Sequence, residues 1–150
     1  MAAQKRPDSS HDVLCNHLHC SQRNVAQTLD LAQRTLGAWA KDTNSVRHHR
    51  MAIEALGQLQ FAIDQHFSRL AGEGMLEQAV ERNPKLYAEL RRIETEQCEL
   101  CDQLRTIIER LRNSNGNSRS ANPIIESFQS FVSALQKEVT DENILAVVGN

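Results

Sequence analysis

Apolar residues in this chain recur at helical spacing through four long stretches, and nowhere do they alternate with polar residues as in a half-buried strand. That periodicity restricts the chain to an all-α fold. The first stretch carries Leu14, Leu18, Val25, Leu29 and Leu36, after Asp8, Ser9 and Ser10, any of which can cap a helix. Lys41 to Ser45 break the pattern. The second carries Ala52, Leu56, Leu59, Ile63 and Leu70, until Gly72 and Gly74 end it. Asn83 and Pro84 suit the cap and first turn of a third helix, with Leu86, Leu90, Ile93, Leu100, Leu104, Ile107 and Leu111 along one face. The polar run from Asn113 to Pro123 reads as a loop, and the last helix points Ile125, Phe128, Val132, Leu135, Val139 and Leu145 inward. Helices over about 9–40, 46–71, 84–112 and 123–147, joined by short connections, predict an up-down-up-down antiparallel four-helix bundle. Residues 1–8 are expected to be a short flexible terminus and 9–150 one domain.

A chain of 150 residues, 40% hydrophobic and 24% charged, is long enough to bury one sizeable core. With 17 basic and 19 acidic side chains, its net charge of −2 supplies no field to gather nucleic acid or an anionic membrane. One Trp, one Tyr and four Phe are too few for a base-stacking platform. No apolar run resembles a signal-peptide core or a membrane span, so the chain is expected in the cytoplasm, with its thiols reduced. No phosphate loop or nucleophile elbow is present, and no enzymatic activity is expected.

Polar residues falling on or beside the apolar stripes are the informative ones, because a buried polar group must be satisfied by a neighbour. His19 lies beside the first stripe, His66 lies between Ile63 and Leu70, Gln97 between Ile93 and Leu100, and Glu138 and Glu142 flank Val139 one turn apart. In an antiparallel bundle these positions fall toward one end and could form a single layer. These residues are either a hydrogen-bonded network, a set of metal ligands, or solvent-facing side chains on stripes assigned one position off.

Cys98 and Cys101 form a CxxC within a helix, and Cys15 and Cys20 lie on the first helix. A four-thiolate zinc site is the sharp reading of these cysteines; packing as reduced thiols is the bland one and is preferred. His48 and His49 oppose the dipole at the start of the second helix and are expected to face solvent, as are His11 and His17.

The run HFSRLAGEGMLEQAVERNPKLYAELRRIETEQCEL, His66 to Leu100, resembles the stretch of hemerythrin-like (HHE cation-binding) domains with the pattern HFxxEExGGxL, a PxL segment and LxxEH. EVTDENIL, Glu138 to Leu145, resembles that family's closing HExxENxLL segment, and His19 stands as the first-helix histidine. The resemblance implies a hemerythrin-like bundle, in a family that holds a pair of iron or related ions with histidines and carboxylates. Matched position by position, His19, His66 and Glu142 keep ligand types. Leu70 stands for the second-helix glutamate, Gln97 for a third-helix histidine and Glu138 for the fourth-helix histidine. Leucine cannot bridge metals and an amide binds transition metals poorly. The expectation is therefore a bundle that has lost its di-iron site, holds no cofactor, and serves as an interaction or regulatory domain for a protein partner or by self-association. The alternative is a sensor holding a single Fe, Mn or Zn ion through His19, His66, Glu138 and Glu142, responsive to oxygen or nitric oxide.

Overall fold

The computed structural model describes residues 9–114, 119 and 121–148, with side chains from Asn16 onward. Five α-helices account for nearly all of them: α1 (Ser9–Lys41), α2 (Val46–Glu73), α3 (Met75–Arg82), α4 (Tyr87–Arg112) and α5 (Ala121–Val148), with a 3-10 turn at Pro84–Leu86. No strand occurs among the described residues, and none of the helices is long and apolar enough to cross a membrane. α1 lies along α2, α4 packs against α2 and α5, and α1 also meets α5.

The breakers act as their chemistry requires. Ser45 caps α2 by accepting from the His48 backbone N–H at 3.1 Å. Gly74 closes α2 in the left-handed region, at φ 67°, with its N–H donating to the Leu70 carbonyl. Asn83 accepts from the Lys85 N–H ahead of the 3-10 turn, whose first residue is Pro84.

One helix was not expected. The segment read as a connection between Gly72 and Asn83 contains α3, which buries Met75, Leu76 and Ala79. Eight residues carry too few turns for periodicity to stand out, and α3 is held by tertiary contact with α5, α2 and α4.

The core falls into two apolar clusters. The larger includes Val25, Leu36 and Trp39 of α1, Leu56 and Ile63 of α2, Leu100 and Leu111 of α4, and Phe131 and Leu135 of α5. The smaller joins Leu18, Leu70, α3, Leu90, Ile93, Leu145 and Ala146. Full burial of each such leucine or isoleucine contributes roughly 1.5–3 kcal/mol, so these clusters hold the helices together. Along α1 and α4 the chain runs from the smaller cluster to the larger, and along α2 and α5 from the larger to the smaller.

His49 departs from the expected solvent-facing position. It is half-buried, its Nε2–H donates to the Leu111 carbonyl at 2.6 Å, and its ring lies 6.1 Å from that of the buried Trp39. The Ser114 hydroxyl donates to the same carbonyl at 2.7 Å, so two side chains satisfy an orphan acceptor at the end of α4. His11 lies outside the described side chains, and His17 is exposed as expected, 3.2 Å from Glu73.

At Gly74 a side chain meets no neighbour within 4 Å, so only backbone conformation opposes it. Gly74→Ala is expected to cost about 1 kcal/mol in equilibrium urea unfolding, with unchanged helix content by circular dichroism.

Candidate functional site

Between the two clusters each long helix contributes polar residues at stripe positions: Ser21 after Leu18, His66 after Ile63, Glu96 after Ile93, and Glu138 with Glu142 after Leu135. All but Glu96 are buried, and Glu96 is half-buried. His66 is 1% exposed and bonded at both ring nitrogens: Nε2–H donates to Glu142 Oε1 at 2.8 Å, and Nδ1 lies 2.7 Å from the Ser21 hydroxyl. Gln22 donates from Nε2 to the same Glu142 oxygen and to Asn143 Oδ1, each at 3.1 Å. One imidazole thereby ties α1, α2 and α5 together.

Glu138 lies one turn before Glu142 and has the opposite surroundings. It is 0% exposed, and neither of its oxygens receives a hydrogen bond; the second oxygen of Glu142 is also without a partner. Burial first, and then repulsion from Glu142, pushes the Glu138 carboxyl up to about 9. Its neighbour Glu96 is itself an acceptor, so their contact becomes a hydrogen bond when Glu138 carries the proton and donates it.

Outward from Glu138 the layer becomes charged. An oxygen from each of Glu96, Glu138 and Asp141 lies within 4.8 Å of the others. Arg92 donates to Glu96 at 2.8 Å, to Asp141 at 3.0 Å and to Glu89 at 2.5 Å. Lys137 Nζ bridges Glu96 at 3.3 Å and Asp141 at 3.0 Å. Burial works to raise the Glu96 carboxyl, but Arg92, the Glu138 proton and Lys137 together hold it below its usual range. Asp141 is likewise held low, with Lys137 and Arg92 outweighing burial.

The sequence-derived candidates are distributed unevenly. His66, Glu138 and Glu142 share the layer, whereas His19 is exposed and does not join it. His19 follows Leu18 directly, and one residue turns a helix by about 100°, enough to carry the side chain off the stripe. Gln97 is half-buried and lines a surface groove with Asp64, Cys98 and Cys101 instead of joining the layer. Cys15 lies outside the described side chains; Cys20 and Cys98 are exposed and Cys101 half-buried. Among the described residues no metal-sized cluster contains a cysteine. Cys101 donates to Asp64 at 3.6 Å, and burial, followed by the Asp64 charge, pushes its thiol up to about 11. It is an unreactive thiol at neutral pH. Sequence reasoning missed Ser21, Gln22, Glu96 and Asp141, although Ser21 and Glu96 occupy the same i+3 position after an apolar residue as His66 does.

No family model matches the chain, and neither a curated protein nor a solved structure is significantly similar to it.

A folded-state value of about 9 against 4.5 for an ordinary glutamate means that folding takes up a proton at Glu138. The resulting stability is complete below pH 4.5 and is lost as pH rises toward 9, at up to about 1.4 kcal/mol per pH unit. Glu138→Gln is neutral at every pH. In chelator-treated protein it is expected to remove most of the fall in melting temperature between pH 6 and pH 8, both chosen inside that window.

Proposed function

We propose that the chain is a hemerythrin-like four-helix bundle whose metal-ligand positions have become a hydrogen-bonded layer, and that it acts without catalysis as an interaction domain. The alternating order of the two apolar clusters along α1, α2, α4 and α5 supports the up-down-up-down arrangement, with α3 as an added cap at one end. The observation that carries the reading is His66: protein groups from α1 and α5 take both of its nitrogens. Leu70 supports it too, since the position of the family's second-helix carboxylate lies within the smaller apolar cluster.

The Ser21–His66–Glu142 chain invites comparison with a hydrolytic triad. Its hydroxyl, however, meets Nδ1 and its carboxylate Nε2, the reverse of that arrangement. Ser21 is 7% exposed and His66 1%, so a substrate cannot approach the hydroxyl.

For an interaction role, the outer face of α1 and α2 supplies exposed apolar side chains. Phe61 is 63% exposed, and Leu31 and Met51 line a groove on the same pair of helices. Exposed apolar surface of this kind is where soluble domains meet protein partners or second copies of themselves.

Two experiments test these parts separately. Anaerobic loading with Fe(II) followed by air is expected to give fewer than two irons per chain and no oxo-bridged absorption, with His66→Ala lowering the melting temperature but not the iron content. Two irons per chain, lost in His66→Ala, would overturn the decayed-centre reading. Sedimentation velocity is expected to show reversible self-association that Phe61→Asp removes while thermal unfolding stays within about 0.5 kcal/mol of the parent, as for a surface substitution; unchanged sedimentation of the variant would sink the assignment of this face.

A further inference from the structure

We propose that Glu96, Glu138 and Asp141 form a binding site for one hard divalent cation at the seam of α4 and α5, on the outer side of the layer and without His66 as a ligand. Three carboxylates close together do not alone make a site. The second observation is Glu138: fully buried, beside the oxygens of Glu96 and Asp141, and receiving no hydrogen bond at either of its own oxygens. Buried carboxylate oxygens are almost always partnered, and an ion is one of the few groups that could partner two at once. Glu142, one turn further along, has another unpartnered buried oxygen on the same helix.

The chemistry of the donors selects the ion. All three are carboxylates, and the nearby imidazole has both nitrogens engaged, so the site offers oxygen alone. Oxygen-only sets favour Mn(II), Mg(II) or Ca(II) over softer metals. Donor atoms within 4.8 Å of one another suit a central ion with bonds of roughly 2.1–2.5 Å.

Two surface grooves give access. Asp141 borders one surface groove of about 200 Å³ with Arg92 and Ile144, and Glu96 borders another of about 190 Å³ with Lys137 and Ala134. Arg92 and Lys137 neutralise part of the cluster, and both are long side chains, 37% and 60% exposed, able to swing toward solvent as a cation takes their place. They act as a removable cover. At Glu138 no donor has to leave; the cation displaces only the proton that this carboxyl shares with Glu96.

The test uses the full chain, stripped with chelator and titrated with Mn(II), reading the free-ion signal by electron paramagnetic resonance and the melting temperature in parallel. One saturable Mn(II) per chain, competed by Mg(II) or Ca(II) and accompanied by a higher melting temperature, is expected. Glu138→Gln, Glu96→Gln and Asp141→Asn are each expected to weaken binding roughly tenfold or more, the size of effect that perturbing a metal site brings, while His66→Gln leaves it unchanged. Glu96 and Asp141 lie toward the surface, so their variants report even where a core variant unfolds. Absence of saturable binding up to millimolar Mn(II), binding indifferent to Asp141→Asn, or binding lost in His66→Gln would each overturn the proposal. The iron experiment reads the His66 layer, so the two readings fail independently.

Discussion

The register of α1, α2 and α5 depends on a single buried imidazole being satisfied from two sides. His66 lies where an apolar residue would otherwise continue the α2 stripe, between two clusters that are apolar throughout. An unpartnered imidazole there would cost about 1–3 kcal/mol, as much as a leucine at the same place would gain. The hydroxyl of Ser21 and the carboxylate of Glu142 meet it within 2.7–2.8 Å, and Gln22 steadies that carboxylate from α1. The apolar clusters supply most of the stability but would tolerate a slide of one helix past another. The polar chain would not, because moving any of the three helices by one turn would leave His66 or Glu142 facing hydrocarbon. A buried network of this kind acts chiefly to specify register.

Two carboxylates one turn apart on α5 show how far neighbours decide chemistry. Glu142 has two donors on one oxygen; Glu138 has none and is pushed toward the neutral acid. Glu96 and Asp141, facing Arg92 and Lys137, are pushed the other way. Over the width of one helix the layer passes from a hydrogen-bonded interior, through a carboxyl that favours its proton, to a charged network at the surface. Glu138 stands at the boundary, where its proton can face Glu96 but no donor reaches it.

Much of this fold is legible in the sequence, because long amphipathic helices repeat their pattern over many turns and Gly74, Asn83 and Pro84 punctuate them strongly. α3 was not legible, since its eight residues fold against neighbours that the sequence does not reveal. The layer was half legible for a geometric reason. Between two apolar positions seven apart, either the i+3 or the i+4 residue can face inward, and hydropathy cannot choose between them. On α4 both Glu96 and Gln97 are half-buried, but Glu96 is the one that meets Glu138, and on α5 Glu138 is fully buried while Val139, the apolar neighbour assigned to the core, is only half-buried. His19 drew notice as a histidine, whereas Ser21, a less conspicuous residue, occupies the stripe position. The inward turn of His49 depended on the end of α4, more than sixty residues away, which local reasoning about helix dipoles could not supply.

The same register also explains how a ligand layer and a hydrogen-bonded layer can be neighbours in sequence space. Inward positions on four helices can present imidazoles and carboxylates to an ion at the bundle axis, or to one another. Here Leu70 closes the axis on the side of α2 by joining the smaller cluster, and the Ser21 hydroxyl draws His66 toward α1. The remaining carboxylates cannot meet at the centre, because Glu142 is committed to His66 and Gln22. They gather instead at the seam of α4 and α5, where Glu96 and Asp141 reach the surface and Glu138 extends the cluster inward. A cation held there would lock α4 to α5 without touching the tie that joins α1, α2 and α5.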